Sequence, residues 1–337
     1  MSVRHLNRLA CFITVTAGFG GPLAACSKEE APPASPASVE ETATFRFAPP
    51  DGTEYVRTDR RSEEIAIVGV PLRRAEEEEL RWKIGVDQDG KKYSVQQDLV
   101  YISYARDGQT FAQGKVDEGI SAELVLDDSG NLKEVKGLDK TADTLRKLIM
   151  PGHEAEAEQM ITPESLEYLV ASRYKVLFGD TIGRPAEPGS TWTIKSPPGS
   201  FIASRTVKVT RHEACGNTTC ALLHVAFELD PQVVTDRAMK LVRSRVVAAG
   251  GDPARVNMRR ATYGMSGSML IEPATMLSHG ASLVESGTVT VADATEQEIS
   301  VEIKGTTEIS YAYSEESAAA EPPGARFRTA GSPSETY

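Results

Sequence analysis

The stretch ISVEIKGTTEISYAY, residues 299 to 313, decides the fold class of this chain. Its apolar and polar side chains alternate, which is the period of a β-strand with one face buried and one face in water. The apolar positions are Ile299, Val301, Ile303, Ile309, Tyr311 and Tyr313, and the polar ones are Ser300, Glu302, Lys304, Glu308 and Ser310. A solvated face of this kind is typical of antiparallel sheets.

Strand-like runs recur along the chain and predict a mainly β fold of the α+β class. They cover 53–69, 80–87, 91–107, 120–126, 201–213, 220–229, 261–272 and 281–292, with turn sequences between them. Their order predicts two curved antiparallel sheets or half-barrels, formed by a first β half at 45–137 and a second at 181–314. A helical segment at 138–180 joins the two halves.

Helix signals mark two places in the chain. In the middle segment, Thr162 is the predicted cap of a helix that has Pro163 in its first turn and ends at Gly179. A second helix, inserted at 235–250, is predicted to be capped by Thr235 and to stop at Gly250.

The first 25 residues have the pattern of a signal peptide, because about 13 mostly apolar residues follow a basic start. The sequence LAAC at 23–26 resembles the lipobox of bacterial lipoproteins, which implies lipidation of Cys26 and anchoring in a membrane. Residues 26–44 and 315–337 are rich in Pro, Ala, Ser and Glu and are predicted to be a disordered tether and a disordered tail. Ser27, where some lipoproteins carry Asp, favours the cell envelope at the outer membrane, facing the periplasm.

The charge of the chain argues against nucleic acid as a partner. The formal net charge is −11, and it becomes −13 when the two arginines of the signal peptide leave. One segment reverses this sign and is a candidate contact surface for an anionic partner; the alternative is a solvated basic helix face. Its basic residues are Arg237, Lys240, Arg243, Arg245, Arg255, Arg259 and Arg260.

Two cysteines remain in the predicted folded body. Cys215 and Cys220 flank the turn sequence GNTT between two strand-like runs, so in an oxidising envelope we expect a disulfide across a hairpin end. His212 and His224 flank the same hairpin and would suit a weak metal site or a cross-strand contact. Structural roles are favoured for both pairs, so no metal site is predicted.

No catalytic motif is complete in this sequence. YGMSGSML at 263–270 resembles the G-x-S-x-G elbow of hydrolases, but Ser268 stands where the second glycine belongs. DQDG at 87–90 resembles the start of a calcium loop and is interpreted as a hairpin turn, since the later oxygen ligands are missing. AEEEEL at 75–80 is interpreted as a solvated loop or the start of a strand. We therefore predict neither catalytic residues nor a cofactor.

Two stretches resemble an uncharacterised family of bacterial envelope proteins, many of them lipoproteins. They are AELVLDDSGNLKEVKGLDK at 122–140 and RPAEPGSTWTIKS at 184–196. The shared positions are Asp127, Gly130, Gly137, Pro188, Gly189 and Trp192. They suggest a scaffold, with Gly130 in a tight turn and Trp192 as a core anchor at the start of a strand. The layout is also similar to envelope carriers of lipid or lipoprotein chains, which is a likeness of fold alone.

These observations lead to a non-enzymatic, lipid-anchored envelope protein as the first hypothesis, with a lipid chain or an envelope component as its ligand. The alternative is a structural or assembly module that binds a protein partner. An envelope hydrolase without a sequence signature is less favoured. An apolar hollow of roughly 300 Å³ or more would favour the carrier, and a solid core would favour the module.

Replacement of Cys26 by Ala tests the anchor. Without the sulfur no acyl chains are attached, so we expect the Cys26→Ala protein to leave the membrane fraction and appear in the soluble periplasmic fraction. Cell fractionation with immunoblotting measures this, and Cys11→Ala, within the predicted signal peptide, serves as the matched cysteine control. A Cys26→Ala protein that stays with the membranes contradicts the anchor.

Overall fold

Strands make up most of the described chain, which in this computed structural model comprises residues 43–68, 73–116, 119–148, 161–248, 252, 254, 257–292 and 298–313. The strands are β1 Thr53–Ile67, β2 Arg73–Asp89, β3 Lys92–Arg106, β4 Gln109–Lys115, β5 Ser121–Asp127, β6 Leu132–Lys136, β7 Thr191–Lys195, β8 Ile202–Cys215, β9 Thr218–Leu229, β10 Asn257–Ile271, β11 Ser278–Ala292 and β12 Glu298–Tyr313. The helices are α1 Leu138–Leu148, α2 Pro163–Tyr174 and α3 Pro231–Ala248. The predicted mainly β class is confirmed.

All the strands belong to one antiparallel sheet. Its order is β6-β5-β3-β2-β1-β12-β11-β10-β9-β8-β7, and β4 pairs with β3 beside this path. The first six strands lie on one side and the last six on the other, because β1 pairs with β12 from Tyr55 opposite Tyr313 to Ile67 opposite Val301. The two predicted β halves therefore share one sheet, whose end strands β6 and β7 are not paired with each other among the described residues.

The middle helix begins as its sequence predicts. The Thr162 hydroxyl accepts a hydrogen bond from the Ser165 backbone N–H at 3.1 Å, and the Ser165 hydroxyl accepts one from the Thr162 N–H at 3.0 Å. Pro163 is the first helical residue, where its missing N–H costs nothing. A π-helical turn, Lys175–Gly179, continues α2 to the predicted end.

The predicted start of the second helix is wrong. α3 begins at Pro231, and the Asp230 carboxylate accepts hydrogen bonds from the backbone N–H groups of Gln232 and Val233 at 2.9 and 3.1 Å. Thr235 lies inside the helix, where its hydroxyl donates to the Pro231 carbonyl. Asp is as good a cap as Thr, and it stands five residues earlier. The predicted stop, Gly250, lies outside the described residues.

The two larger apolar cores of the described residues pack on the sheet, one in each half. The first includes Ile84, Leu124 and Leu126 of the sheet, with helix residues of α1 and α2 against them. The second includes Val209, Leu223 and Ile271, and is completed by Phe45 and Trp192, whose rings meet edge to face at 6.2 Å between centroids. Trp192 is thus the core anchor that its position predicts.

Gly130 holds the turn between β5 and β6 next to the first core. Its φ of +80° favours glycine, and a Cβ there would lie 2.3 Å from the Cβ of Phe47. The Tyr174 hydroxyl also donates to the Gly130 carbonyl at 2.6 Å, which ties α2 to this turn. The predicted tight turn is confirmed.

The folded body starts slightly before the predicted limit of the tether at residue 44. The Ala43 carbonyl accepts a hydrogen bond from the Ala186 N–H at 2.8 Å, and Thr44 forms an isolated antiparallel β-bridge with Pro185. The signal peptide, Cys26, most of the tether and the tail lie outside the described residues. No described helix combines the length and hydropathy needed to cross a membrane.

Candidate ligand-binding site

The central strand β1 turns charged side chains toward the side of the sheet on which α2 packs. Arg57, Asp59 and Arg61 are only 5, 8 and 8 % exposed. They alternate with outward residues and, with Glu63, form one face of the strand. We call these four residues the ionic row. Charged side chains are rarely buried this far unless they are paired, so the contacts of the row define its role.

At one end of the row, Arg57 and Asp59 form a three-residue ion cluster with Arg173 of α2. Arg57 lies 3.0 Å from Asp59, and the Arg173 guanidinium of α2 donates to the other Asp59 oxygen at 2.8 Å. Burial alone would raise the pKa of Asp59, but Arg57 and Arg173 hold it below its ordinary value. Burial lowers the pKa of Arg57, and Arg173 adds to this. Asp59 therefore fastens α2 to the middle of the sheet.

At the other end of the row, Arg61 contacts Glu63 on its own strand and lies close to a residue of β11, which in turn contacts β10. Arg61 donates to Glu63 at 2.7 Å and lies 3.9 Å from the carboxylate of Glu285. Tyr263 of β10 donates its hydroxyl to Glu285. Burial and the Glu285 charge raise the pKa of Tyr263 above its ordinary value, so this phenol stays protonated as a donor.

Glu78 of β2 lies opposite Arg61 and is 7 % exposed. Its Oε2 has no hydrogen-bond partner among the described residues. Burial raises the pKa of Glu78 to about 8, although the Arg61 charge acts against this. Of the two interpretations of 75–80, the solvated loop is wrong and the start of a strand is correct, because β2 begins at Arg73 and pairs on both sides here.

Beyond Glu63 the same face becomes apolar. Ile65 lies opposite Ile303, and Ile67 lies opposite Val301, in continuous register from β1 to β12. Val289 lies opposite Val301 from the other side. These half-buried side chains belong to neither apolar core among the described residues. We call the set the apolar patch; its members are Ile65, Ile67, Val289, Val291, Val301 and Ile303.

The patch continues toward the end of the strands. Ile299 extends β12 past Val301 and is 41 % exposed, although its sequence position predicts a buried side chain. α3 packs against β10, the strand next to β11. The alternation of 299–313 therefore predicts the correct face, but the burial at this end is only partial.

The opposite face of the same strands carries a polar hollow of about 380 Å³. Arg60 and Glu79 line it and form an ion pair at 2.9 Å. The other lining residues on this face are Ser62, Glu77, Ser103, Ala105, Thr306 and Glu308, and the inward residues Arg61 and Glu78 also border the hollow. Its volume exceeds the threshold that would favour a carrier, but its lining is polar, so it does not suit an acyl chain.

The predicted disulfide joins Cys215 to Cys220 across the β8–β9 hairpin, with 5.8 Å between the Cα atoms. His212 and His224 are not opposite each other, because the register places Ala221 opposite His212 and Lys208 opposite His224. The His212 ring nitrogen instead lies 2.7 Å from the Ala186 carbonyl oxygen. The hairpin thus brings together the cysteines but not the histidines.

His279 is a neighbour of the disulfide that sequence reasoning missed. One ligand atom of His279 and both sulfurs lie within 4.8 Å of one another, and the ring binds Glu272 at 2.7 Å. The sulfurs are bonded to each other, which removes the thiolates that a metal would need. This group therefore acts as a structural contact at the hairpin end.

The serine and aspartate motifs are structural in this fold. Ser266 and Ser268 lie within β10, and the Ser268 and Ser282 hydroxyls are 2.9 Å apart across the sheet. A strand cannot present Ser266 as a nucleophile on a sharp turn. Gly90, with φ of +59°, completes the turn between β2 and β3, so the hairpin interpretation of DQDG is confirmed.

The basic segment lies along α3 and the start of β10. The Arg237 guanidinium stacks 4.8 Å from the Phe201 ring, and Lys240 and Arg243 are exposed farther along the helix. Arg259 and Arg260 are exposed at the start of β10. The Arg245 side chain and all of Arg255 lie outside the described residues. The described cations are therefore spread over one end of the sheet.

No family model and no curated protein matches this chain. Among solved structures, one described as an exported protein with a YmcC-like fold from Bacteroides fragilis has 9% identity and a TM-score of 0.22, covering 77% of this chain and 97% of its own. A DUF1329 family protein from Desulfovibrio piger has 9% identity, coverage of 92% and 91%, and a TM-score of 0.15. The outer membrane protein OprG from Pseudomonas aeruginosa has 7% identity, coverage of 81% and 98%, and a TM-score of 0.14. TM-scores this low do not establish a shared fold.

Substitution of Glu78 by Gln tests the buried carboxyl. Between its ordinary pKa of 4.5 and the folded value of about 8, the folded state holds a proton that the unfolded state has lost. The free energy of unfolding therefore falls as the pH rises through this window. Gln resembles the protonated acid, so Glu78→Gln should flatten that fall and be more stable than wild type above about pH 8, by roughly 1–3 kcal/mol.

Urea unfolding at a series of pH values measures this change. Glu77→Gln is the matched control, since Glu77 is the adjacent residue on the exposed face and should leave the slope unchanged. A Glu78→Gln protein with the wild-type pH dependence would show that this carboxyl is ionised at neutral pH.

Proposed function

We propose that this chain is a non-enzymatic, lipid-anchored envelope protein that binds an amphipathic molecule on the side of the sheet where its helices pack. The observation that carries the proposal is the apolar patch that continues directly from the ionic row on the same strands. An amphiphile needs an apolar surface for its chain and polar groups close by for its head. The resemblance of LAAC at 23–26 to a lipobox supports an envelope location for this activity.

The patch provides enough surface for reversible binding. Its six aliphatic side chains are half-buried, and Ile299 adds an exposed edge. Apolar contact contributes about 25 cal/mol for each Å² removed from water, so covering about 300 Å² contributes about 7 kcal/mol before the costs of association. After those costs, which are at least about 4 kcal/mol, an affinity in the millimolar range is expected.

The side chains of the ionic row and Tyr263 are suited to binding rather than to chemistry. The acids of the ionic row are held by arginines, and Tyr263 is held as a donor by Glu285. A general base must be able to take up a proton near the substrate, and ionised carboxylates in strong ion pairs do so poorly. The row therefore supplies a rigid polar boundary for the patch.

The second candidate is an assembly module that binds a protein partner, and the polar hollow favours it. The hollow lies on the exposed face, where Glu77 and Glu308 are open to solvent beside the Arg60–Glu79 pair. A basic peptide segment would complement this lining. Because the two faces are opposite, substitutions on each can separate the candidates.

A carboxylate in the apolar patch would weaken the binding of an acyl chain, and substitution of Ile303 by Glu introduces one. In the soluble Cys26→Ala protein, we expect Ile303→Glu to reduce binding of the fluorescent amphiphile anilinonaphthalene sulfonate at least about fivefold, because a buried charge must be desolvated. Fluorescence titration measures this, with circular dichroism as a check of folding.

Val284→Glu is the matched control for this substitution. Val284 is an aliphatic residue of β11 on the opposite face, 50 % exposed, so Glu there should leave the dye affinity unchanged. Equal losses in both variants, or no loss in Ile303→Glu, would remove the patch as the binding site. Mass spectrometry of an extract from detergent-free protein adds an independent readout, in which a bound amphiphile is expected.

A further inference from the structure

We infer that the ligand is a long-chain fatty acid whose carboxylate binds Arg74 at the edge of the apolar patch. This inference rests on the proposed function and adds the chemical class of the ligand. Its basis is the position of Arg74, an exposed cation directly beside Ile65 in the sheet register.

Arg74 lies on the same face as the patch. It belongs to β2, where the inward positions are Glu76, Glu78 and Leu80 and where alternate residues share a face. The β1 residue opposite Arg74 is Ile65, which is itself opposite Ile303 of β12. A chain lying on Ile65 and Ile303 would therefore have its head within reach of this guanidinium.

The acids nearest to Arg74 on that face are already paired. Glu76, the next inward residue of β2, lies 3.4 Å from Arg106, and Glu63 of β1 accepts a hydrogen bond from Arg61. Arg74 has no ion-pair partner among the described residues, whereas its neighbour Arg73, on the other face, pairs with Glu64 at 3.3 Å. The charge of Arg74 is thus available to a ligand.

Arg74 places a positive charge at the edge of the patch. At the start of β10, Arg260 is opposite Thr290 of β11 and therefore lies on the other face of the sheet, and Arg259 lies at the bulge between Met258 and Arg260. Arg74 is therefore the cation that the register places on the face of the patch. An exposed cation next to an apolar surface favours an anionic head over a neutral or cationic one.

The width of the patch favours a single chain. β1, β12 and β11 are adjacent strands, so their side chains span about 10 Å at about 4.8 Å per strand. A guanidinium matches a carboxylate through two parallel hydrogen bonds. One acyl chain with a carboxylate head fits this surface and this cation together.

Competition between two ligands with the same chain tests the inference. Oleate carries a carboxylate, and monoolein carries the same chain on a neutral head. We expect oleate to displace anilinonaphthalene sulfonate from the Cys26→Ala protein at a several-fold lower concentration than monoolein. The advantage should shrink in salt, since the Debye length falls from about 30 Å at 0.01 M to about 3 Å at 1 M.

Charge reversal at two adjacent arginines tests whether the ligand binds on the face of the patch, because the two side chains lie on opposite faces of the sheet. Arg74→Glu should weaken oleate binding about fivefold and leave monoolein nearly unchanged, in line with the loss of one exposed ion pair. Arg73→Glu is the matched control, because the same change occurs one residue away on the other face. It should leave both affinities unchanged.

The outcomes distinguish this inference from the proposed function. Equal affinity for the two ligands, or no effect of Arg74→Glu, overturns the inference that the ligand is a fatty acid. The proposal that the patch binds an amphiphile then still stands. Failure of both ligands to bind overturns the proposed function and this inference with it. A dimer in light scattering that Ile303→Glu dissociates would show that a second copy of the chain covers the patch, which also overturns the inference.

Discussion

The antiparallel pairing of β1 with β12 is the constraint on which the rest of the structure depends. It joins strands from opposite ends of the folded body, with Tyr55 opposite Tyr313 and Ile67 opposite Val301. Without it, each half would present a long unpaired edge to solvent, which promotes aggregation. The apolar patch is also made by this pairing, since Ile65 comes from one half and Ile303 from the other. The proposed binding surface therefore exists only when both halves are folded together.

The buried charges of β1 make this pairing specific. A shift of one residue would turn the ionic row outward and bring Val56, Thr58 and Arg60 inward. Asp59 would then turn outward together with Arg57 and lose Arg173 of α2, and breaking a buried ion pair costs about 3–5 kcal/mol. Replacing such clusters with apolar side chains is often neutral for stability. Their value here is that they fix the register of the central strand and the position of α2 on it.

The strands and their exposed face could be predicted from sequence, because alternation at 299–313 is a local signal. The inward face of β1 could not be predicted from sequence, since Arg57 and Asp59 are as polar as the outward-facing Thr58 and Arg60. Their burial depends on Arg173, which lies 114 residues from Asp59 along the chain. Glu78 was missed for the same reason, as nothing within an acidic run marks one member for burial. The pairing of Ile65 with Ile303 likewise has no local signal.

The most direct test of this account is photochemical labelling with a diazirine fatty acid, followed by mass spectrometric mapping of the labelled peptides. The account predicts labels in peptides that contain residues 65–67, 289–291 and 299–303, which meet only in the folded sheet. Excess oleate should suppress these labels. Labels confined to residues 77–79 and 306–308, which line the polar hollow on the opposite face, would contradict it.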